Sequence, residues 1–395
     1  MSRNAVRAVT FSVSLVLAVT LGYAVVHHLR PVREVLEFQD VDEAAFEAAS
    51  ASAARHAGEL PARLRRTPLD EETVRRIMPL KGKTRVYDPF SYFRHAAGLS
   101  SERKWAEHPR GRFSVVTNSL GLRQDDELAE AKPDLRVLVV GDSHMTGVCS
   151  NAECFPAQLE DRLAANEPGR SVEVVNGSHG AYAFYHYLGV LERMLDLGYL
   201  PDVFVVVVYG GNDFLATFMW HLFGGTQRPR HTREELRRKE ECKQLHPQGL
   251  GQALNAAEYF RRGGEEEVET ALRMARAVMA EIRRLCRQQG TELVAVYLPS
   301  PSELPDHADQ TRIEGAREVL GLSLEDLAVI GTMGDRFLAD LRGAGYPTID
   351  LRETFRGSTT ELYWRRDLHL NLAGHAAMAD VVAGRLEQWW GARAE

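Results

Sequence analysis

Val203-Phe204-Val205-Val206-Val207-Val208-Tyr209 runs without a polar break into Gly210-Gly211-Asn212-Asp213. A strand with one face in water would alternate polar and apolar side chains. An unbroken run of β-branched and aromatic residues instead suits a strand buried on both faces of a parallel sheet. Similar runs recur at Arg136–Val140, Val172–Val175 and Glu292–Leu298, with a short one at Thr348–Leu351. Between them lie stretches of helical spacing such as Glu266–Gln289, where Leu272, Ala275, Val278, Met279, Ile282 and Leu285 share one side. Strands alternating with helices imply βαβ units and an α/β class: a three-layer α/β/α, doubly wound parallel sheet. Such sheets bind ligands beyond the carboxyl ends of their strands, so that is where chemistry is expected.

The whole chain of 395 residues carries 48 Lys and Arg against 55 Asp and Glu, a formal charge of −7. That balance argues against nucleic-acid binding, which calls for a basic excess or stripe. Charged residues at 26% and apolar residues at 44% describe a globular protein with material for a large core. Only Ala8 to Val26 is long, apolar and uncharged; at 1.5 Å per residue it would extend about 28 Å, near the hydrocarbon thickness of a bilayer. With Arg3 and Arg7 before it, the segment reads as an N-terminal transmembrane helix, an uncleaved signal anchor with residues 1–7 in the cytoplasm. A cleaved signal peptide is the competing reading.

Beyond the anchor, residues 27–85 read as a stalk or helical linker and 86–132 as a small accessory region containing β structure. The main domain is expected over 133–395, with an insertion at 214–264 that either caps the site or packs elsewhere. Four cysteines are too few for a disulfide framework. Cys149 and Cys154 are candidates for a disulfide in an oxidising compartment, and Cys242 with Cys286 for a second. With no C-x-x-C or HExxH spacing, no metal site is indicated, and no cofactor is expected.

Four short blocks follow the strands. The first is Gly141-Asp142-Ser143-His144, where a small glycine lets a serine stand exposed at a strand–helix junction; its plain alternative is a helix N-cap. The second, Asn176-Gly177-Ser178-His179-Gly180-Ala181-Tyr182, allows close backbone approach and exposes N–H donors, or is simply a tight turn. The third, Gly210-Gly211-Asn212-Asp213, can aim an asparagine amide into the crevice, though asparagine is also a common turn former. The fourth, Asp367-Leu368-His369, places a carboxylate two residues from an imidazole, where it can fix the tautomer and stabilise the imidazolium. Each is ordinary alone; their order along one inferred sheet is not.

With these blocks in view, the chain resembles the SGNH (GDSL-type) hydrolase superfamily over roughly Arg136 to Leu386. It is most similar to the membrane-anchored bacterial branch, in which N-S-x-G-x-R, here 118–123, precedes the core domain. Many members carry Asp-x-x-His; the shorter Asp367-x-His369 resembles alginate O-acetyltransferase-like members, with Arg366 in the usual acidic place. The resemblance implies a flavodoxin-like SGNH fold, Ser143 as nucleophile, His369 as base and Asp367 as its orienting partner. It further implies an oxyanion hole from the N–H of Ser143, the side chain of Asn212 and a glycine N–H, either Gly177 or Gly180, with Gly180 favoured. Asp142, His144, His179 and Asp213 are candidates for the pocket, as is Gly177.

The activity so implied is hydrolysis of carbohydrate or small acyl esters, with the main domain in the periplasm or outside the cell. O-acyl transfer onto an exported polysaccharide is the alternative, and would call for a membrane acyl-donor partner. A non-catalytic, anchored glycan-binding protein is the second alternative.

Overall fold

The computed structural model describes residues 69–78, 80, 82–166, 168–223, 233–245, 253–304 and 310–394. The described chain begins with α1 (Glu71–Ile77) and two antiparallel hairpins: β1 (Arg85–Asp88) with β2 (Tyr92–His95), then β3 (Ser100–Lys104) with β4 (Arg112–Val116). β5 (Leu135–Val140) leads through the one-turn α2 (Ser143–Thr146) to α3 (Phe155–Asn166) and β6 (Val172–Asn176). α4 (Phe184–Asp196), β7 (Val203–Tyr209), α5 (Asp213–Phe223), α6 (Arg233–Leu245) and α7 (Asn255–Gln289) follow. The chain closes with β8 (Glu292–Leu298), α8 (Gln310–Leu320), α9 (Leu324–Gly343), β9 (Thr348–Asp350), α10 (Arg352–Arg356) and α11 (Leu372–Ala394).

The five later strands form one parallel sheet in the order β6-β5-β7-β8-β9. Every residue of β5 and β7 is buried. The period-two geometry of a strand explains why both must be apolar throughout. In β7, Phe204, Val206 and Val208 enter the cluster beneath α4, α7 and α9, whereas Val203, Val205, Val207 and Tyr209 enter the opposite one beneath α3 and α11. β7 and β8 have the bounds expected from sequence, and the other three strands differ by one residue at an end. The helix expected from Glu266 continues back to Asn255 across a kink at Gly264, whose φ of +66° few other residues would adopt.

Two expected boundaries move. Leu69 and Val74 lie in the main core beside Tyr92 and Phe93, so the end of the expected 27–85 stalk belongs to the packed body. Apolar side chains there have a sheet face to bury against, which a free stalk would deny them. Of the expected insertion 214–264, the described residues Phe214, Leu215, Phe218 and Trp220 of α5 pack elsewhere, buried in the same core, and none of the described residues of the segment lines the cavity around Ser143. Trp220 stacks on Tyr92 with ring centroids 5.2 Å apart and so holds β2 against the body. α6 packs with α8 in a separate small cluster that holds Cys242, whereas Cys286 lies in the main core. Those two cysteines therefore do not pair.

The expected anchor, Ala8 to Val26, lies outside the described residues. Among the described residues no helix is long and apolar enough to cross a membrane.

Trp220→Ala removes a buried indole whose space the neighbouring rings cannot fill. It should cost about 3–5 kcal/mol in urea unfolding; a loss below about 1 kcal/mol would show that the hairpin does not depend on it.

Candidate active site

The first block turns on two side chains. A Cβ at Gly141 would stand 2.3 Å from Cγ of Met145, so the chain can leave β5 this sharply only with glycine there. Asp142 caps α2, its Oδ1 accepting from the backbone N–H of His144 at 2.8 Å. Its other oxygen accepts from Ser143 Oγ at 3.3 Å, and the Asn212 side chain also bonds to the carboxylate. Burial pushes the Asp142 carboxyl above the usual range. Thus the ends of β5 and β7 meet on one buried group beneath the serine.

The fourth block is a tight reversal. Tyr363 and Leu370 form an antiparallel bridge, and Trp364 N–H donates to the carbonyl of His369 at 2.8 Å. Leu368 takes φ +62°, unfavourable for a leucine, and its side chain is buried in the α6–α8 cluster. Asp367 and His369 thereby face each other, with Oδ2 2.5 Å from Nδ1. His369 Nε2 is buried and has no hydrogen-bond partner. Glu107, from the β3–β4 connection, reaches across and accepts from the backbone N–H groups of Arg366 (2.9 Å) and Asp367 (3.2 Å).

In the second block the two glycines are placed differently. Gly177 N–H donates to Val139 O at 2.9 Å, so it is spent within the sheet. Gly180 lies beside Ser143: a Cβ there would stand 3.8 Å from Ser143 Cβ and meet nothing else within 4 Å among the described residues. Its neighbour Ala181 takes φ +71°, turning the chain over the serine. His179 Nδ1 lies 2.6 Å from Gly180 O, an acceptor, so Nδ1 carries the hydrogen. Burial, and then the charge of Arg85, lower His179 to about 3, so the ring is neutral.

Ser143, His179, Gly180, Asp367 and His369 line a single cavity of about 420 Å³. Its far wall comes from the two hairpins: Arg85, His95, Arg103, Trp105, Phe113 and Val115. No sequence block pointed to these residues. Short strands with mixed polarity resemble surface structure, and only their position opposite Ser143 reveals a role. Asp142, His144, Gly177 and Asp213, taken from sequence as pocket candidates, do not line the cavity. Asp142, His144 and Asp213 are buried below it. His144 Nδ1 accepts from Leu370 N–H at 3.2 Å, tying the first block to the fourth. Asp213 accepts from Tyr209 N–H and Tyr187 OH, both at 2.8 Å, and its burial raises its pKa well above the usual range.

Behind the serine, Arg123 is buried and donates to Gly147 O (3.0 Å), Cys149 O (2.6 Å) and Asn151 Oδ1 (3.1 Å). This explains the arginine of the 118–123 motif: it satisfies carbonyls of a buried loop that the strands cannot reach. Cys149 and Cys154 are thiols with their sulfurs 3.2 Å apart, in contact but not bonded; a disulfide would need about 2.05 Å.

The GDSL-like Lipase/Acylhydrolase family matches residues 139–377. The chain belongs to that family. It is an SGNH-type enzyme of the acyl-ester hydrolase class. No curated protein sequence matches it. Among solved structures, LAE5, an alpha/beta hydrolase enzyme from the metagenome of Lake Arreo, Spain, is 16% identical with a TM-score of 0.36 over 64% of this chain and 95% of its own. The acetyl xylan esterase AlAXEase is 17% identical, with a TM-score of 0.37 over 65% and 98%. The Enterococcus faecalis lipase/acylhydrolase is also 17% identical, with a TM-score of 0.29 over 64% and 97%. Likenesses this distant bear on neither the substrate nor the acyl group of this enzyme.

His375, at the start of α11, is fully buried, and its Nδ1 accepts from Phe155 N–H at 3.2 Å. Burial, with Arg123 and His369 adding to it, lowers its pKa to about 3. The unfolded chain takes up this proton below about pH 6.5, whereas the folded chain does not until about pH 3. The contribution is therefore complete above pH 6.5 and lost as pH falls through that window. Relative to wild type, His375→Asn should lose about 1.4 kcal/mol less per pH unit below about pH 6, measured by urea unfolding. Parallel pH profiles for the two proteins would contradict a neutral buried imidazole.

Proposed function

We propose that Ser143, His369 and Asp367 form the catalytic triad of an enzyme that hydrolyses small acyl esters or acylated carbohydrates. The observation that carries this reading is the Asp367–His369 pair, 2.5 Å apart, with His369 Nε2 unpartnered on the cavity that Ser143 also lines. Asp367 holds the Nδ1–H tautomer, which leaves the lone pair of Nε2 toward the cavity.

To react, Ser143 Oγ leaves Asp142 and turns to Nε2. It attacks the ester carbonyl as Nε2 takes its proton, and Asp367 stabilises the imidazolium. The oxyanion is received by the N–H groups of Ser143 and Gly180 and by the Asn212 amide. Two features favour Gly180: among the described residues its N–H enters no backbone hydrogen bond, and it has no side chain above the serine. Collapse of the adduct breaks the ester C–O bond, and the imidazolium returns its proton to the departing oxygen. Water activated by His369 then releases the acid.

The full chain should release p-nitrophenol from p-nitrophenyl acetate, and Ser143→Ala should lower turnover more than about 10³-fold while leaving thermal unfolding in place. Equal activity in the two proteins would remove Ser143 from the mechanism. With an oligosaccharide acceptor present, mass spectrometry should find free acetate; acetylated acceptor instead would favour O-acyl transfer.

Glu107 acts as a positioning residue, since it bonds to the backbone of the loop rather than to the reacting atoms. Glu107→Ala should lower kcat about 10-fold or more with little change in KM, and Glu107→Gln should recover part of the loss. A change confined to melting temperature would mean that Glu107 serves stability alone.

A further inference from the structure

The hairpin wall of the cavity is rich in donors and poor in acceptors. Arg85 and Arg103 both line it, and among the described residues neither guanidinium makes a hydrogen bond or ion pair with a carboxylate. Arg85 is half-buried, with its guanidinium carbon 4.9 Å from the centre of the Phe93 ring, which fixes its direction without neutralising it. Arg103 is more exposed, toward the mouth. Trp105 lies on the same wall, and its indole N–H, a donor only, is buried without an acceptor. The two histidines between them, His95 and His179, lie with ring centroids 4.0 Å apart and planes tilted by 34°, and are held neutral by burial and by the nearby arginines. The acidic residue on the lining is Asp367, and its carboxylate is engaged by His369.

Elsewhere in this protein, arginines that are partly buried have partners. Arg136 pairs with Glu173 at 2.8 Å, Arg352 with Asp350 at 2.7 Å, and Arg123 with three oxygens. Withdrawing a guanidinium from water without a partner is costly, so the half-buried Arg85 is poised for a charge from outside, and the exposed Arg103 adds a second positive charge to the same cavity wall. A planar fork of N–H donors suits a carboxylate or a phosphate, which it can hold by two parallel hydrogen bonds.

We propose that the natural ester bears an anionic group, a carboxylate or a phosphate, near its scissile bond, and that Arg85 and Arg103 receive that group while the acyl carbonyl faces Ser143. This rests on the ester-hydrolase reading above and names the class of ester. Substrate recognition then belongs to the hairpins and bond cleavage to the sheet.

The test compares three acetate esters that differ at one ring position: phenyl acetate, 4-acetoxybenzoate and 4-acetoxyphenyl phosphate. For wild type against Arg85→Gln/Arg103→Gln, the ratio of kcat/KM for a charged ester to that for phenyl acetate should fall about tenfold or more, mainly through KM. The carboxylate and phosphate arms tell which anion is preferred. Arg85→Lys/Arg103→Lys should retain part of the selectivity, which guards against a variant that merely misfolds. Unchanged ratios for both charged esters would overturn the proposal while leaving ester hydrolysis intact.

If wild type turns over none of the three, ester hydrolysis fails separately, and calorimetric binding to Ser143→Ala protein decides the anion site. Binding of 4-acetoxybenzoate or 4-acetoxyphenyl phosphate that weakens about tenfold on adding the glutamine substitutions supports it. Absent binding of both, or affinities that ignore the substitutions, overturns it.

Discussion

A buried carboxylate holds the site together. Asp142 sits under Ser143, capping α2 through His144 N–H, accepting from Ser143 Oγ and binding the side chain of Asn212. A carboxylate so deep is tolerable only when its lone pairs are occupied, and here the donors come from the ends of two adjacent strands. The order β6-β5-β7 makes those ends neighbours, and both strands are buried along their whole length. Sheet packing and serine placement are in that sense one constraint.

The parallel sheet was legible because burial on two faces leaves a strong mark: a run such as 203–209 has no polar residue to mislead. The blocks at the strand ends were legible because each needs a particular residue. Gly141 has no room for a side chain, and Asp367 must lie within reach of His369. The different bonding of Gly177 and Gly180 was not legible, since it depends on which N–H the sheet consumes. That is a matter of register rather than composition.

The hairpins were the larger omission. β3 is almost wholly exposed and β1 partly so, with no periodicity that separates a cavity wall from a surface ribbon. Nor could spacing show that Glu107 meets a loop some 260 positions later in the chain. The segment 214–264 shows the opposite case. Its composition left capping and packing elsewhere equally open; the described part packs in the core, where Trp220 stacks on Tyr92 of β2.

Leu368 sits between the two residues of the Asp367–His369 pair, yet its side chain points away from them into the small cluster made by α6 and α8. The left-handed backbone that this requires is sustained by packing outside the catalytic sheet. Packing in the small α6–α8 cluster is thus joined, through one residue, to the backbone that carries Asp367 and His369. Sequence drift in α6 or α8 would therefore reach the Asp367–His369 pair without touching the central sheet.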